Sequence, residues 1–165
     1  MATSSRYVVP FRRKREGRTN YRKRLNLLKS GLPRLVIRRT NKYLIAQIVN
    51  YDPKGDKVLT TITSKALQKM GWKFSCKNLP AAYLLGLLIG KKAKELNVDK
   101  VILDIGLHRA TKGNRLFAFV KGVLDSGINV PVDESMFPSD ERLSGKHISE
   151  DVAKAFQELK NKIMK

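Results

Sequence analysis

The sequence predicts an α/β fold: a mixed, largely antiparallel sheet packed with helices, with a basic N-terminal arm and a C-terminal helical tail. Three observations predict it. Strand-length apolar runs at 34–39, 42–49 and 58–63 follow one another across short turns, as in an antiparallel meander. A long apolar helix at 80–96 then leads to a short buried-type strand at 100–105, the pattern of a crossover unit. Charge is spread unevenly: between Arg6 and Lys29 there are ten lysines and arginines against one acid, Glu16. The expected divisions are an arm at 1–31, a core at 32–130 and a tail at 131–165.

Residues 1–17 read as extended or disordered in the free chain. Pro10 and Gly17 interrupt regular structure, and Arg12, Arg13, Lys14 and Arg15 repel one another. A helix is expected from about Thr19, which can cap it, to the residues before Gly31. Tyr21, Leu25 and Leu28 make a narrow apolar stripe able to dock on a core, and Arg22, Lys23, Arg24, Asn26 and Lys29 cover the rest. The first strand follows Leu32-Pro33, and Thr40 and Asn41 turn the chain into the second. That second strand is apolar on both faces, so both are expected to be at least partly covered. In Asp52-Pro53-Lys54-Gly55, proline fixes φ and glycine permits positive φ, giving the turn into the third strand.

Ser64 is the expected cap of a short helix ending at Gly71, and Trp72 and Phe74 read as core or core-edge aromatics. Pro80 suits the first turn of the long helix. Ala82, Gly86 and Gly90 recur every four residues, and small residues on one face allow close approach to another element, here expected to be the sheet. Lys91, Lys92 and Lys94 suit the negative end of the helix and are equally able to reach phosphate. The strand at 100–105 is expected to run parallel to an earlier one. A loop framed by Gly106 and Gly113 follows, then a helix at 116–125 ending at Gly127 and a last strand candidate at 128–130. Residues 131–146 read as loop. Ser149 caps a terminal helix with Glu150 and Asp151 in its first turn and Lys160, Lys162 and Lys165 in its last. Its apolar face, Val152, Ala155, Phe156, Leu159 and Ile163, belongs against the chain's own core or against a partner.

Composition narrows the function. A hydrophobic fraction of 42% supports a packed core, while a net charge of +20 repels itself unless a polyanion neutralises it. The arm cannot be buried, because unpaired charge is too costly to desolvate. Tyr7, Phe11 and Tyr21 among the arginines favour nucleic acid over a solvated tail: guanidinium groups suit phosphates, and aromatic planes suit bases. One cysteine, Cys76, excludes an intramolecular disulfide and a cysteine metal site, and reads as a small buried apolar residue. The N-terminus has no signal-peptide h-region, and the longest apolar run, 79–89, is short and interrupted by Pro80 and Gly86. A cytoplasmic protein without a membrane span is expected.

The loop 106–115 is a second expected RNA contact. It joins a strand end to a helix start, where phosphates meet backbone N–H groups, and Arg109, Thr111, Lys112 and Arg115 add donors. A purely structural turn is the alternative. The order GLHRATKG is not a Walker loop, so NTP hydrolysis has no support. His108 and His147 have no neighbour at metal-ligand spacing; His108 either contacts RNA or is an ordinary surface histidine. Asp99, Asp104 and Asp125 are the carboxylates a metal-dependent nuclease would call upon, but only Asp104 lies in a strand pattern.

Taken together, RRKREGRTNYRKRL, GLPRLVIRRTNKYLIAQIV, the GLHRATKGNR loop and the helix after it resemble the 5S rRNA-binding protein of the large ribosomal subunit, universal ribosomal protein family eighteen. The REGRTNY element and the tail beyond Pro131 resemble the archaeal and eukaryotic forms, and the lack of a long C-terminal extension favours the archaeal one. The resemblance implies an α/β core, 5S rRNA as main ligand and a place in the central protuberance. It implies contacts with large-subunit rRNA, ribosomal protein family five and other central-protuberance proteins. It implies no catalysis, cofactor, metal, small-molecule substrate or membrane. Carried onto this sequence, the RNA contacts are Arg12, Arg13, Arg15, Arg18, Tyr21, Arg22 and Arg24 in the arm, Arg38, Arg39, Asn41 and Lys42 around the hairpin, and Arg109, Lys112 and Arg115 in the loop. The arm is expected to order on binding. The rival readings are a basic protein that compacts nucleic acid without specificity and, more remotely, the nuclease.

Overall fold

The computed structural model describes residues 4–164. Two short helices, α1 (Arg12–Arg15) and α2 (Tyr21–Leu28), precede the sheet. Strands β1 (Arg34–Arg39), β2 (Leu44–Asn50) and β3 (Lys57–Thr63) form the expected antiparallel meander. Next come α3 (Ala66–Lys69) and α4 (Leu79–Glu95), then β4 (Ile102–Asp104), which pairs parallel to β1. The sheet order is β3-β2-β1-β4, so α4 provides the expected crossover. α5 (Arg115–Asp125), a 3-10 turn (Glu134–Met136), α6 (Asp140–Ser144) and α7 (Glu150–Met164) complete the chain.

Alternation divides the sheet into two unlike faces. Leu35, Ile37, Leu44, Ala46, Ile48 and Ile62 join one core with the helices. Arg34, Val36 and Arg38 lie on the opposite side of β1. There the second face of β2 is only partly covered: Ile45 and Gln47 are half-buried. α4 is buried nearly all round because it contacts β2, β3, α5, α6 and α7. Asn78 caps it by accepting from the Ala81 N–H at 3.0 Å.

The small residues of α4 meet a different neighbour from the one expected. Gly86 and Gly90 face α5, not the sheet. A Cβ on Gly86 would sit 2.1 Å from the Phe119 carbonyl oxygen, and one on Gly122 would sit 2.2 Å from the Tyr83 carbonyl oxygen. The two helices therefore touch backbone to backbone. Replacing Gly86 with alanine is expected to lower stability by about 3 kcal/mol, because the obstacle is main chain and cannot rotate away. Chemical denaturation checks this, and a loss below about 1 kcal/mol would mean that the helices separate easily.

Several element boundaries also differ from expectation. The Ser64 hydroxyl does not cap α3; it accepts from the Leu44 N–H at 3.0 Å, and a fully buried hydroxyl beside an unpaired strand N–H is better used there. The strand at 100–105 shrinks to three residues, and 128–130 gives only an isolated parallel bridge between Lys100 and Asn129. The loop at 131–146 contains the 3-10 turn and α6. Trp72 is buried as expected, with its indole N–H donating to the Ser75 carbonyl at 3.1 Å, and Phe74 packs edge-on to it. Cys76 is buried, and burial raises its thiol pKa.

The terminal helix packs on the chain's own core. Val152, Phe156, Leu159 and Ile163 are buried, Ala155 is half-buried, and α7 lies against α4. Ser149 caps it as expected, accepting from the Val152 N–H at 3.3 Å. Lys160 places its ammonium 5.4 Å from the Tyr83 ring centroid. Lys165 lies outside the described residues.

Candidate nucleic-acid interface

The sheet face away from α4 is built on charge. Arg34 and Arg38 are four residues apart on β1 and point the same way, flanking the β4 carboxylate of Asp104, whose register partner is Val36. Arg34 donates to Asp104 Oδ2 at 3.0 Å, Arg38 to Oδ1 at 3.1 Å, and the Gly106 N–H to Oδ1 at 2.8 Å. The other terminal nitrogen of Arg34 meets Asp56, beside the β2–β3 turn. Asp56 in turn accepts from Arg24 of α2 at 2.9 and 3.0 Å. The result is a continuous ladder, Arg24–Asp56–Arg34–Asp104–Arg38, tying the arm to both sheet edges. A second tie runs from Lys23 Nζ to the Gly106 carbonyl at 3.1 Å. Gly106 adopts φ +60°, and a Cβ there would sit 2.9 Å from the Arg38 guanidinium carbon.

The ladder sets a pH dependence. Burial alone would raise the Asp104 pKa, but the Arg38 charge, the Gly106 N–H and Arg34 outweigh it and hold the group below its ordinary value. For Asp56, burial again opposes, and hydrogen bonds from Arg24 and Arg34 prevail. Both folded pKa values thus lie below the unfolded ones. The stabilisation is complete above the unfolded value and is lost as pH falls through the depressed folded values. The denaturation midpoint should hold steady from about pH 7 to 5 and fall below about pH 4. A midpoint unchanged down to about pH 2.5 would contradict this.

The arm is helical where extended chain is expected. Glu16 accepts from Arg12 at 2.8 Å and pairs with Arg18 at 3.2 Å, which relieves the repulsion of the arginine block and permits one helical turn. Thr19 does not cap α2. Asn20 does, accepting from the Lys23 N–H at 3.0 Å, while the Thr19 hydroxyl receives Arg13 Nε at 2.9 Å. Nor does the stripe Tyr21, Leu25, Leu28 dock on the core. No residue of α2 is fully buried, and Leu25 is 57% exposed. The polar ties hold α2 instead; Leu27 and Leu28 are half-buried, and Tyr21 and Leu27 border the cleft between α2 and the sheet. Phe11 and Tyr21 form an accessible aromatic pair, ring centroids 5.3 Å apart.

Hairpin and loop are neighbours. The Arg39 N–H donates to His108 Nε2 at 3.2 Å, so Nε2 carries no proton. Burial first, then the charges of Arg39 and Arg38, lower the His108 pKa, in keeping with a neutral ring. Asn41 and Lys42 line a shallow groove with Lys77, whose carbonyl accepts from Arg115 at 3.0 Å. The expected phosphate site on free N–H groups at the start of α5 is corrected. Asn114 Oδ1 already accepts from Leu116 and Phe117 at 2.8 and 3.1 Å, and its amide nitrogen donates to the Thr111 hydroxyl at 3.1 Å. What the loop offers is side-chain donors, Arg109 and Lys112, both exposed.

The structure therefore joins the expected residues through a few links. Arg13, Arg18, Tyr21, Arg24 and Arg38 border one cleft between arm and sheet. Arg39 connects that cleft to the loop through His108, and Arg115 connects the loop to the groove at Asn41 and Lys42. Arg12, Arg15 and Arg22 are exposed on the arm. Arg34 and Asp56 belong to the same assembly and were not singled out from the sequence, whereas Lys23 was placed on the polar side of the arm helix and His108 was left between an RNA contact and an ordinary surface residue. The i, i+4 spacing of Arg34 and Arg38 on one strand face was the available signal. Two of the carboxylates considered for a nuclease do separate work: Asp104 serves the ladder and Asp125 accepts from the Tyr83 hydroxyl at 2.6 Å, while Asp99 meets Asn129 through its backbone carbonyl, which accepts from the Asn129 N–H at 2.8 Å. Among the described residues, no group of three or more His, Cys, Asp or Glu is placed to hold a metal ion.

A family model described as ribosomal large subunit proteins 60S L5 and 50S L18 matches residues 5–101 and 92–133. The chain belongs to this family. The matched residues take in the arm, the whole sheet, α4, the loop and α5, and stop before the 3-10 turn. Membership makes the protein a component of the large subunit of the cytoplasmic ribosome, with rRNA as its partner. Among the described residues, no helix is long and apolar enough to cross a membrane.

Proposed function

We propose that this large-subunit ribosomal protein binds 5S rRNA and anchors it in the central protuberance. There it also touches large-subunit rRNA, ribosomal protein family five and other proteins of the protuberance. The family's archaeal form is the one the arm and tail resemble. The observation that best supports the reading is the pairing of a basic arm with a charged sheet face, fastened by the Arg24–Asp56 and Lys23–Gly106 contacts. This arrangement offers phosphate-binding side chains and an aromatic pair on one side, while α4 and its neighbours occupy the other.

The three divisions act differently in this reading. The arm, 1–31, supplies affinity through Arg12, Arg13, Arg15, Arg18, Tyr21 and Arg22. The core, 32–130, fixes register through Arg39, Asn41, Lys42, Arg109 and Lys112. The tail, 131–165, buttresses α4. Arg24, Arg38 and Arg115 reach RNA with the part of each guanidinium not engaged by Asp56, Asp104 and the Lys77 carbonyl.

Counterion release should dominate the thermodynamics. With six to ten phosphates contacted, affinity for 5S rRNA is expected to fall by on the order of a thousandfold between about 50 and 200 mM salt. A flat response would favour a stacking or protein-protein role. Add-back tests the anchoring itself. Large subunits washed free of this protein and of 5S rRNA should recover 5S rRNA only when both are returned, and recovery without the protein would reject the anchoring role.

A further inference from the structure

A cleft of about 630 Å³ lies between the arm and the charged sheet face. That is within the range of small-molecule sites, about 300–1,000 Å³. Its charge is graded. At the arm side stand Arg13 and Arg18, with Glu16 opposing Arg18, and Lys23 reaches across from the arm to the Gly106 carbonyl. At the sheet side, Asp104 offsets much of the charge of Arg34 and Arg38. A phosphate is drawn to the first region and repelled by the carboxylate of the second. The sheet side suits an uncharged group with hydrogen-bonding edges. It also holds an unused donor. Arg34 is 3% exposed and lines the cleft, yet its buried Nε has no acceptor among the described residues. A buried donor left unpaired is costly, and with almost no accessible surface it meets an acceptor in the cleft only if the Arg34 side chain shifts. Tyr21, backed by Phe11, adds an aromatic surface beside the opening, and Leu27 adds apolar area.

A nucleotide has this polarity: an anionic phosphate at one end and a flat base with acceptor edges at the other. Proteins read unpaired RNA bases by stacking them on aromatic rings and bonding their edges. We propose that the cleft receives one unstacked nucleotide of 5S rRNA, with its phosphate at Arg13 and Arg18 and its base beside Tyr21 on the Arg34 side. The proposal rests on the 5S rRNA reading above.

Abasic substitution tests it. 5S rRNA carrying an abasic residue at each unpaired position in turn is titrated with the full chain and with Leu27→Trp, which narrows the cleft without changing charge. At one position the abasic residue should weaken binding to the native protein about tenfold or more. Leu27→Trp should bind unmodified RNA about tenfold less tightly and no longer distinguish that abasic RNA. Asn26→Trp, at an exposed position on the same helix, should behave as the native chain. If every abasic RNA affects native and Leu27→Trp proteins alike, the proposal is overturned. Should Leu27→Trp lose helical signal, Leu107→Trp, at an exposed residue lining the same cleft, replaces it with the same two outcomes. If the native protein binds 5S rRNA no better than an unrelated RNA of equal length, it is the ligand assignment that fails, a separately recognisable result.

Discussion

Removing residues 1–29 is expected to weaken 5S rRNA binding by roughly a thousandfold near physiological salt while leaving the sheet and its helices folded. The deleted segment carries ten lysines and arginines and one acid, so nine net positive charges leave with it. It carries no fully buried side chain in α1 or α2, so the core loses little apolar contact. What the core does lose is the Arg24 end of the ladder and the Lys23 bond to the Gly106 carbonyl, and Asp56 then keeps Arg34 as its partner. Circular dichroism and thermal melting of the truncated chain should resemble those of the full one. A truncated chain that binds within about threefold of the full chain would show that the core alone holds the RNA.

Asp104→Ala is expected to destabilise the fold by about 3–5 kcal/mol at neutral pH. The carboxylate receives two guanidinium groups and one backbone N–H. Arg38 is partly exposed and can turn to water, but the Arg34 side chain is only 4% exposed and would keep Asp56 alone. The cost is that of a buried cation stripped of half its neutralisation, together with the lost bond to Gly106. Urea denaturation at pH 7 measures it, and a loss below about 1 kcal/mol would mean that Arg34 gains access to solvent in the variant.

The antiparallel meander was legible because its signals are local: strand-length apolar runs and the Asp52-Pro53-Lys54-Gly55 turn. That β4 runs parallel to an earlier strand followed from the strand–helix–strand order, but that its neighbour is β1 did not. Contacts between distant segments were not legible. Gly86 and Gly90 announce close packing but do not name the partner, and Gly122, which completes the contact, is found only in three dimensions. The arginines of the interface were visible as charge, yet their partners were not, because Asp104 stands 70 residues from Arg34 and Asp56 stands 22. Arg24 read as a phosphate ligand, and the pairing of one of its terminal nitrogens with Asp56 was not legible. Caps shifted for a related reason. Thr19 and Asn20 are both able to cap, and Arg13 engages the threonine hydroxyl. The loop 106–115 was correctly singled out as basic, but the asparagine next to its second glycine consumes the helix N–H groups that an anion would need.

The most direct measurement of the central claim is a competition titration of the full chain with folded 5S rRNA against an unrelated structured RNA of equal length, at two salt concentrations. Specific anchoring requires 5S rRNA to win by about a hundredfold or more, with the margin kept at the higher salt, since shape-fixed contacts persist when counterion release weakens. Equal affinity for the two RNAs at both salts would contradict the claim and would make the arm a charge-driven compactor of nucleic acid.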